Sequence, residues 1–220
     1  MIKFSKVKIV LVETSHPGNI GSAARAMKTM GFSNLYLVNP KCEINEISYA
    51  MASHAGDILD NAHVSNNLSE VLGNCNYIIG ATARQRDIPI EILNPREIAN
   101  KVNEDLYDEI AILLGNEARG LTNEQLSLCS VGLHIPSNKE YTSLNLASSL
   151  QIILYEILFK SENDASYINK IDKEDIASNE KLSGFLNHMN KVLKDIDFIK
   201  DDRPMICLLY TSPSPRDCRL

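Results

Sequence analysis

Apolar positions along the chain follow two rhythms. Ile9 to Val12 and Ile110 to Leu114 are unbroken apolar runs, as expected of strands buried on both faces of a parallel sheet. Leu35 to Val38, Tyr77 to Ala81 and Gly132 to Ile135 read as further strands. After Ile9 to Val12, Ala23, Ala24, Met27 and Met30 recur at helical spacing until Gly31 ends the helix, with Gly18 and Asn19 supplying its turn and N-cap. One β-α-β unit is complete within about 30 residues. Glu43 to Leu72 is less regular, with helices expected around Ile47 to Ser53 and Leu68 to Leu72 and a short extended piece near His63. Asn94-Pro95 has the N-cap and first-position proline of a helix start, and Thr122 with Gln125 forms a capping box. Strands alternating with helices in this way predict an α/β fold, a parallel sheet flanked by helices.

A longer helix is expected from Leu144. Its apolar set, Leu146, Ala147, Leu150, Ile153, Leu154, Ile157 and Leu158, is wider than one stripe, so the helix should pack on the sheet and also against a partner. Ser161 to Asp175 is polar and aperiodic, as in a linker. Beyond it Leu182, Phe185, Leu186, Met189, Val192 and Leu193 follow the spacing of an amphipathic helix, the start of a C-terminal appendage. Cys207 to Asp217 lacks any such pattern and looks like a translated sequencing-library adapter joined in frame, so no function is assigned beyond about Ile206. The expected organisation is a main domain over 1–160, a linker and the start of a truncated helical extension over 161–206, and a non-native tail over 207–220.

Composition narrows the chemistry. The 220 residues are 44% hydrophobic, enough for a substantial core, and contain neither a membrane-length apolar run nor a signal peptide at Met1 to Ser5, so a cytoplasmic protein is expected. The five cysteines are scattered singly without a C-x-x-C pair, which indicates neither zinc nor a disulfide framework. The three in the main body, Cys42, Cys75 and Cys129, are expected to be reduced and inert, and no metal is expected. A net charge of −6 argues against a broadly basic surface, so any RNA binding must be local. Positive charge gathers only in short stretches, Arg25 with Lys28 and Arg84 with Arg86.

Three constellations carry candidate chemistry. In Glu13-Thr-Ser-His-Pro-Gly-Asn-Ile-Gly-Ser-Ala-Ala-Arg25, Gly18 and Gly21 let backbone approach a ligand, Asn19 caps a helix whose N-terminus favours anions, and Arg25 could grip a phosphate or a developing oxyanion. In Gly115-Asn-Glu-Ala-Arg-Gly120-Leu, Glu117 either orders the loop or meets substrate, and the glycines suit a ligand lying against bare backbone. In Ile135-Pro-Ser-Asn-Lys-Glu-Tyr-Thr-Ser143-Leu-Asn145, Thr142 or Ser143 is the expected N-cap of the long helix, and Asn145, one turn inside, can hold a ribose hydroxyl or the opposite loop. There is no G-x-G-x-x-G, which counts against a nicotinamide-dependent Rossmann enzyme, and no P-loop.

In this order and spacing, the motifs resemble the SpoU-type RNA 2′-O-ribose methyltransferases of the SPOUT superfamily. The matching residues are Asn19-Ile-Gly21 with Arg25, Leu114-Gly-Asn-Glu117 with Gly120-Leu121, and Ile135-Pro136 with Ser143-Leu-Asn145-Leu-Ala147. Leu11-Val-Glu-Thr-Ser-His-Pro-Gly-Asn, Ala26-Met-Lys-Thr-Met-Gly-Phe and Leu37-Val-Asn-Pro40 resemble the branch that methylates cytidine or uridine ribose in the tRNA anticodon loop, at position 32. The resemblance covers residues 7–160 and fades over 161–206. It implies a SPOUT α/β knot, in which the C-terminal part threads a deep trefoil, an exception to the rule against knots. It also implies a homodimer, and S-adenosylmethionine held against Ala81, Thr82, Ala83, Gly115, Ile135, Thr142, Ser143 and Leu144. The implied catalytic set is Arg25, Asn19, Glu117, Ser143 and Asn145. An arginine is too weak an acid to serve as a base, so Arg25 is expected to hold the 2′-oxygen or a neighbouring phosphate. Two alternatives stand beside this one: an rRNA 2′-O-methyltransferase of the same fold, and a catalytically inactive RNA-binding module that keeps the knot.

Overall fold

A computed structural model describes residues 4–83, 89–104, 106–138, 140, 142–163 and 177–196. Arg84, Arg86, Tyr141, Cys207, Cys218 and the expected tail lie outside them. The elements are β1 (Val7–Val12), α1 (Pro17–Thr29), β2 (Asn34–Val38), α2 (Glu46–Ala52), α3 (Gly56–Asp60), β3 (His63–Ser65), α4 (Leu68–Leu72), β4 (Tyr77–Ala81), β5 (Ile92–Leu93), α5 (Pro95–Asn103), β6 (Ile110–Leu114), α6 (Asn123–Ser127), β7 (Val131–Leu133), α7 (Leu146–Asn163) and α8 (Asn179–Asp195). Two compact units divide the chain, Met1–Asn179 and Glu180–Leu220. In the second, α8 carries its apolar residues along one side, as its spacing predicts.

The first unit is built on a seven-stranded sheet in the order β3-β2-β1-β6-β4-β7-β5, every pairing parallel. Successive residues of a strand face opposite sides, and both sides here are apolar. Ile9, Leu11, Leu35, Leu37, Ile79, Ile112 and Leu114 pack with α1, α5 and α7. Val10, Val12, Val38, Ile78, Ala111 and Leu113 pack with Val71 and Leu72 of α4 and Leu126 of α6. The central strands are therefore buried on both faces, which is why they appear in the sequence as unbroken apolar runs.

Strand β7 lies between β4 and β5 although it comes later in the chain than either. On leaving β7, His134 donates its backbone N–H to the Leu93 carbonyl at 2.9 Å, and its Nδ1 lies 3.2 Å from the Thr82 carbonyl. The outgoing chain thus passes between the end of β4 and the end of β5.

Several boundaries differ from the sequence reading. Helix α1 starts at Pro17, and its N-cap is His16, whose ring Nδ1 accepts from the Gly18 N–H at 3.1 Å; Asn19 lies inside the first turn. The fixed φ of proline suits the first helical position and leaves the residue before it extended, so Pro17 sets the start. Arg25 consequently falls in the third turn. Strand β7 ends at Leu133, leaving Ile135 in the following loop, and Ser161 to Asn163 continue α7 rather than open a linker. Helix α3 and strand β5 are too short to show a period and were not expected. Leu158, expected to be buried, is only half-buried on α7.

The free thiols of Cys75 and Cys129 are buried. Burial pushes the Cys129 thiol up to about 12 and raises that of Cys75, so neither offers a thiolate near neutral pH.

Candidate active site

Four segments meet at the carboxyl ends of β1, β4, β6 and β7, where open α/β sheets place ligands. The loop after β6 is closed on itself. Gly120 donates to the Asn116 carbonyl at 2.7 Å, the Asn116 side chain accepts from Ala118 N–H at 3.0 Å, and its Nδ2 donates to the Glu13 carbonyl at 2.8 Å. A Cβ on Gly115 would run into the backbone of Gly120 and Leu121, and Gly120 has φ +69°. These two glycines are required by the loop itself. They also line the cavity described below, so bare backbone serves both purposes.

Gly18 and Gly21 have a different role from the one expected. A Cβ on Gly18 would meet the His16 ring at 3.0 Å, and one on Gly21 would overlap the Ser48 carbonyl oxygen of α2. Neither position faces the cavity; both allow close packing at the start of α1.

Glu117 projects from the closed loop toward α1. Its Oε1 accepts from Asn19 Nδ2 at 2.9 Å, and its Oε2 accepts from both the backbone N–H of Ser15 at 3.0 Å and the Ser15 hydroxyl at 2.8 Å. Burial by itself would raise this carboxyl. The bonds from Asn19 and Ser15 outweigh it and hold Glu117 below its ordinary carboxylate value. A carboxylate stabilised in this way is a poor proton acceptor.

Asn145 closes the arrangement from the other side. It was expected inside α7, with Thr142 or Ser143 as the cap; the structure makes Asn145 the cap and leaves Thr142 and Ser143 in the loop before it. Its Oδ1 accepts from Ala147 N–H at 2.9 Å and Ser148 N–H at 3.4 Å, and its Nδ2 donates to Asn19 Oδ1 at 2.9 Å. The apolar pattern begins with Leu146, and a side chain able to reach N–H groups two and three residues on must precede it directly.

These segments enclose a cavity of about 440 Å³, within the usual size range of cofactor sites. Ala81, Thr82, Ala83, Gly115, Ile135, Thr142, Ser143 and Leu144 all line it, as do Asn19, Glu117 and Asn145. Leu114, Leu121, Leu133 and Leu146 supply apolar wall. Arg25 is not in the lining and is exposed on α1. Six residues separate it from Asn19, about 9 Å along the axis and roughly 240° around it, so the two point to different sides. Sequence reasoning missed Ser15 and Asn116. Asn116 carries a usable signal, an asparagine just after glycine in a turn, whereas Ser15 carries none. Among the described residues no group of three or more His, Cys, Asp or Glu side chains could hold a metal ion, and no helix is long and apolar enough to cross a membrane.

A doubly wound parallel sheet with a partly apolar cavity at its strand ends, edged by fixed amides and a carboxylate, defines an α/β cofactor-binding enzyme. The chain belongs to the SpoU rRNA methylase family, whose profile matches residues 6–155, and is accordingly an S-adenosylmethionine-dependent methyltransferase. A tRNA (cytidine/uridine-2′-O-)-methyltransferase TrmJ of Sodalis glossinidius is 43% identical over 202 residues, 90% of this chain and 78% of the relative. TrmJ from Z. mobilis ZM4 has a TM-score of 0.76 at 28% identity, over 88% of this chain and 82% of that one. The SpoU methyltransferase AviRb from Streptomyces viridochromogenes, in complex with the cofactor AdoMet, shares the fold at 20% identity, with a TM-score of 0.58 over 74% of this chain and 60% of that one.

Proposed function

We propose that the protein methylates the ribose 2′-hydroxyl of cytidine or uridine in the tRNA anticodon loop, at position 32, acting in the cytoplasm as a homodimer. The observation that carries this reading is the convergence of Asn19, Glu117 and Asn145 at the edge of one strand-end cavity. S-adenosylmethionine fits that cavity: the small side chains of Ala81 and Ala83, the side-chain-free Gly115 and apolar wall at Leu133, Ile135 and Leu144 suit an adenine, and the hydroxyls of Thr142 and Ser143 suit its polar end. When bound, the cofactor supplies an electrophilic methyl group on a positive sulfonium.

The residues of the chain do the rest. Asn19 and Asn145 hold the ribose, Glu117 holds Asn19, and Ser143 bounds the cavity beside them. Arg25 steadies the reacting oxygen or a nearby phosphate by charge. Its own cavity lies on another side of α1, and its surroundings favour a second copy. Helix α1 packs against both α2 and α7. Those neighbours expose Ile47 and Met51 on α2 and Ile152, Tyr155 and Phe159 on α7. Exposed apolar side chains on the two helices that flank α1 suit a homodimer that carries Arg25 to the partner's cavity. The knot is part of the same proposal, with β7 and its continuation passing between β4 and β5 as the supporting feature.

The test is mapping of 2′-O-methylation in bulk tRNA incubated with the protein and labelled cofactor. Methyl acceptance at cytidine or uridine of the anticodon loop is expected. Acceptance by rRNA alone would replace the substrate, and cofactor binding without any acceptance would make the protein a binding module.

A further inference from the structure

The hydrogen bonds around the cavity form a chain with a fixed direction. At one end stand the first N–H groups of α7, which can only donate, so Asn145 must turn its oxygen toward them. Its Nδ2 is then left to donate to Asn19 Oδ1, and Asn19 Nδ2 donates in turn to Glu117. At the other end Glu117, as a carboxylate, can only accept. A donor-only terminus and an acceptor-only terminus leave just one orientation for both amides. Each Nδ2 has two hydrogens, of which the chain uses one. Both residues line the cavity, so a second N–H of each remains for an oxygen placed there.

How firmly Asn19 is held in that orientation depends on Glu117 remaining a carboxylate with its Oε1 turned to Asn19. Ser15 is the group that secures this. It places two donors, backbone N–H and hydroxyl, on the other oxygen, Oε2, and so ties the loop after β1 to the loop after β6. Neither donor reaches the amides directly.

We propose that Ser15 is a positioning residue for methyl transfer: by gripping Oε2 of Glu117 it holds Oε1 against Asn19 and so locks the Asn19–Asn145 amide pair in the orientation that α7 sets, with their spare N–H groups toward the ribose oxygen. The reading rests on the function proposed above. In the transfer the ribose 2′-oxygen forms a bond to the methyl carbon as the carbon–sulfur bond breaks. The bonding pair returns to sulfur, and the hydroxyl proton is released to solvent. Negative charge gathers on the oxygen as this happens, and N–H groups already aimed at it need no reorganisation.

Ser15→Ala, Ser15→Thr, Glu117→Gln and the double variant Ser15→Ala/Glu117→Gln test this, with folding of each checked by thermal melting. The first readout needs no RNA: carbon-13 NMR titration of the Glu117 carboxyl. In Ser15→Ala its midpoint should rise by about half to one pH unit, since one donor to the charged form is lost. Ser15→Thr, which keeps the hydroxyl, should leave it near wild type. The second readout is steady-state methylation of tRNA. Ser15→Ala should lower kcat by roughly threefold to tenfold with the cofactor KM within about twofold of wild type. Added to Glu117→Gln, it should lower kcat no further. An unmoved Glu117 midpoint, or an equal loss of kcat from Ser15→Ala in both backgrounds, overturns the proposal. A shifted midpoint in a protein whose wild type methylates no tRNA overturns the substrate reading and leaves the Ser15–Glu117 link standing.

Discussion

Gly21→Ala decides whether the glycine near the start of α1 serves a ligand or the fold. In an unobstructed helix interior the change would stabilise by about 1 kcal/mol, because alanine is the better helix former. Gly21 is obstructed. An added Cβ would overlap the Ser48 carbonyl oxygen and stand 2.8 Å from the Ser48 carbonyl carbon and 3.0 Å from Met51 Cβ. Carbon atoms normally rest about 3.5–4.0 Å apart, so α2 would have to retreat by roughly 1 Å. Ser48 is fully buried, and its hydroxyl donates to the Pro17 carbonyl at 3.0 Å, a bond that such a retreat would break. Overpacking costs about 1–3 kcal/mol and the lost bond about 1 more, for a net loss of about 1–3 kcal/mol after the helix gain. For a unit of this size that corresponds to a melting temperature roughly 2–12 °C lower. Differential scanning calorimetry reads the stability, and isothermal titration with S-adenosylmethionine at a temperature where the variant is folded reads the site. The expected result is a lower melting temperature with cofactor affinity within about threefold of wild type. Gly184→Ala in α8, where a Cβ meets nothing within 4 Å, provides the contrasting case and should gain helicity. A Gly21→Ala protein that melts like wild type yet no longer binds cofactor would refute the packing argument and restore the ligand-approach reading.

Asn145→Ala and Asn145→Asp separate the two roles of that side chain. The alanine variant should lose about 1 kcal/mol with the cap, whereas the aspartate variant keeps a capping oxygen and its stability. Both should lose methylation by roughly 10–100-fold because both lose the donor to Asn19; a fully active Asn145→Asp would contradict that. Mixing Arg25→Ala with Glu117→Ala protein under conditions that exchange subunits should restore about a quarter of wild-type activity, since half the dimers are mixed and each holds one complete site. No recovery despite proven exchange would place Arg25 in its own cavity. Glu117→Gln should flatten the acid side of the stability profile. The folded carboxyl lies below its unfolded value, so its contribution is present above about pH 4.5 and is lost as pH falls through the folded pKa. Urea midpoints of variant and wild type from pH 7 to 3 read this, and parallel curves would count against the depressed carboxyl.

The central strands were legible in the sequence because burial on both faces leaves no polar position to interrupt them; Ile110 to Leu114 and Tyr77 to Ala81 have the same limits in sequence and structure. The insertion of β7 between β4 and β5 was not legible from pattern, since it depends on contacts such as that of Gly132, where a Cβ would strike the Ile92 side chain. Local cap chemistry misled twice for one reason. Asn19 and Ser143 are both good N-cap types, and propensity could not know that Pro17 had already started one helix or that Asn145 would reach the N–H groups of the other.

The candidate site was legible as three motifs but not as one device. Each motif names residue types, whereas the direction of the amide chain exists only once α7 supplies its donors and Ser15 and Glu117 close the far end. Arg25 is the opposite case, because its placement follows from the sequence once the start of α1 is known: six residues beyond Asn19 in a continuous helix cannot share its face. A motif that pairs asparagine and arginine at that spacing therefore cannot direct both side chains into a single cavity from one straight helix. If both take part in methyl transfer, the chemistry itself calls for a second copy of the chain, and the exposed Ile152, Tyr155 and Phe159 on α7 offer it a surface on which to dock.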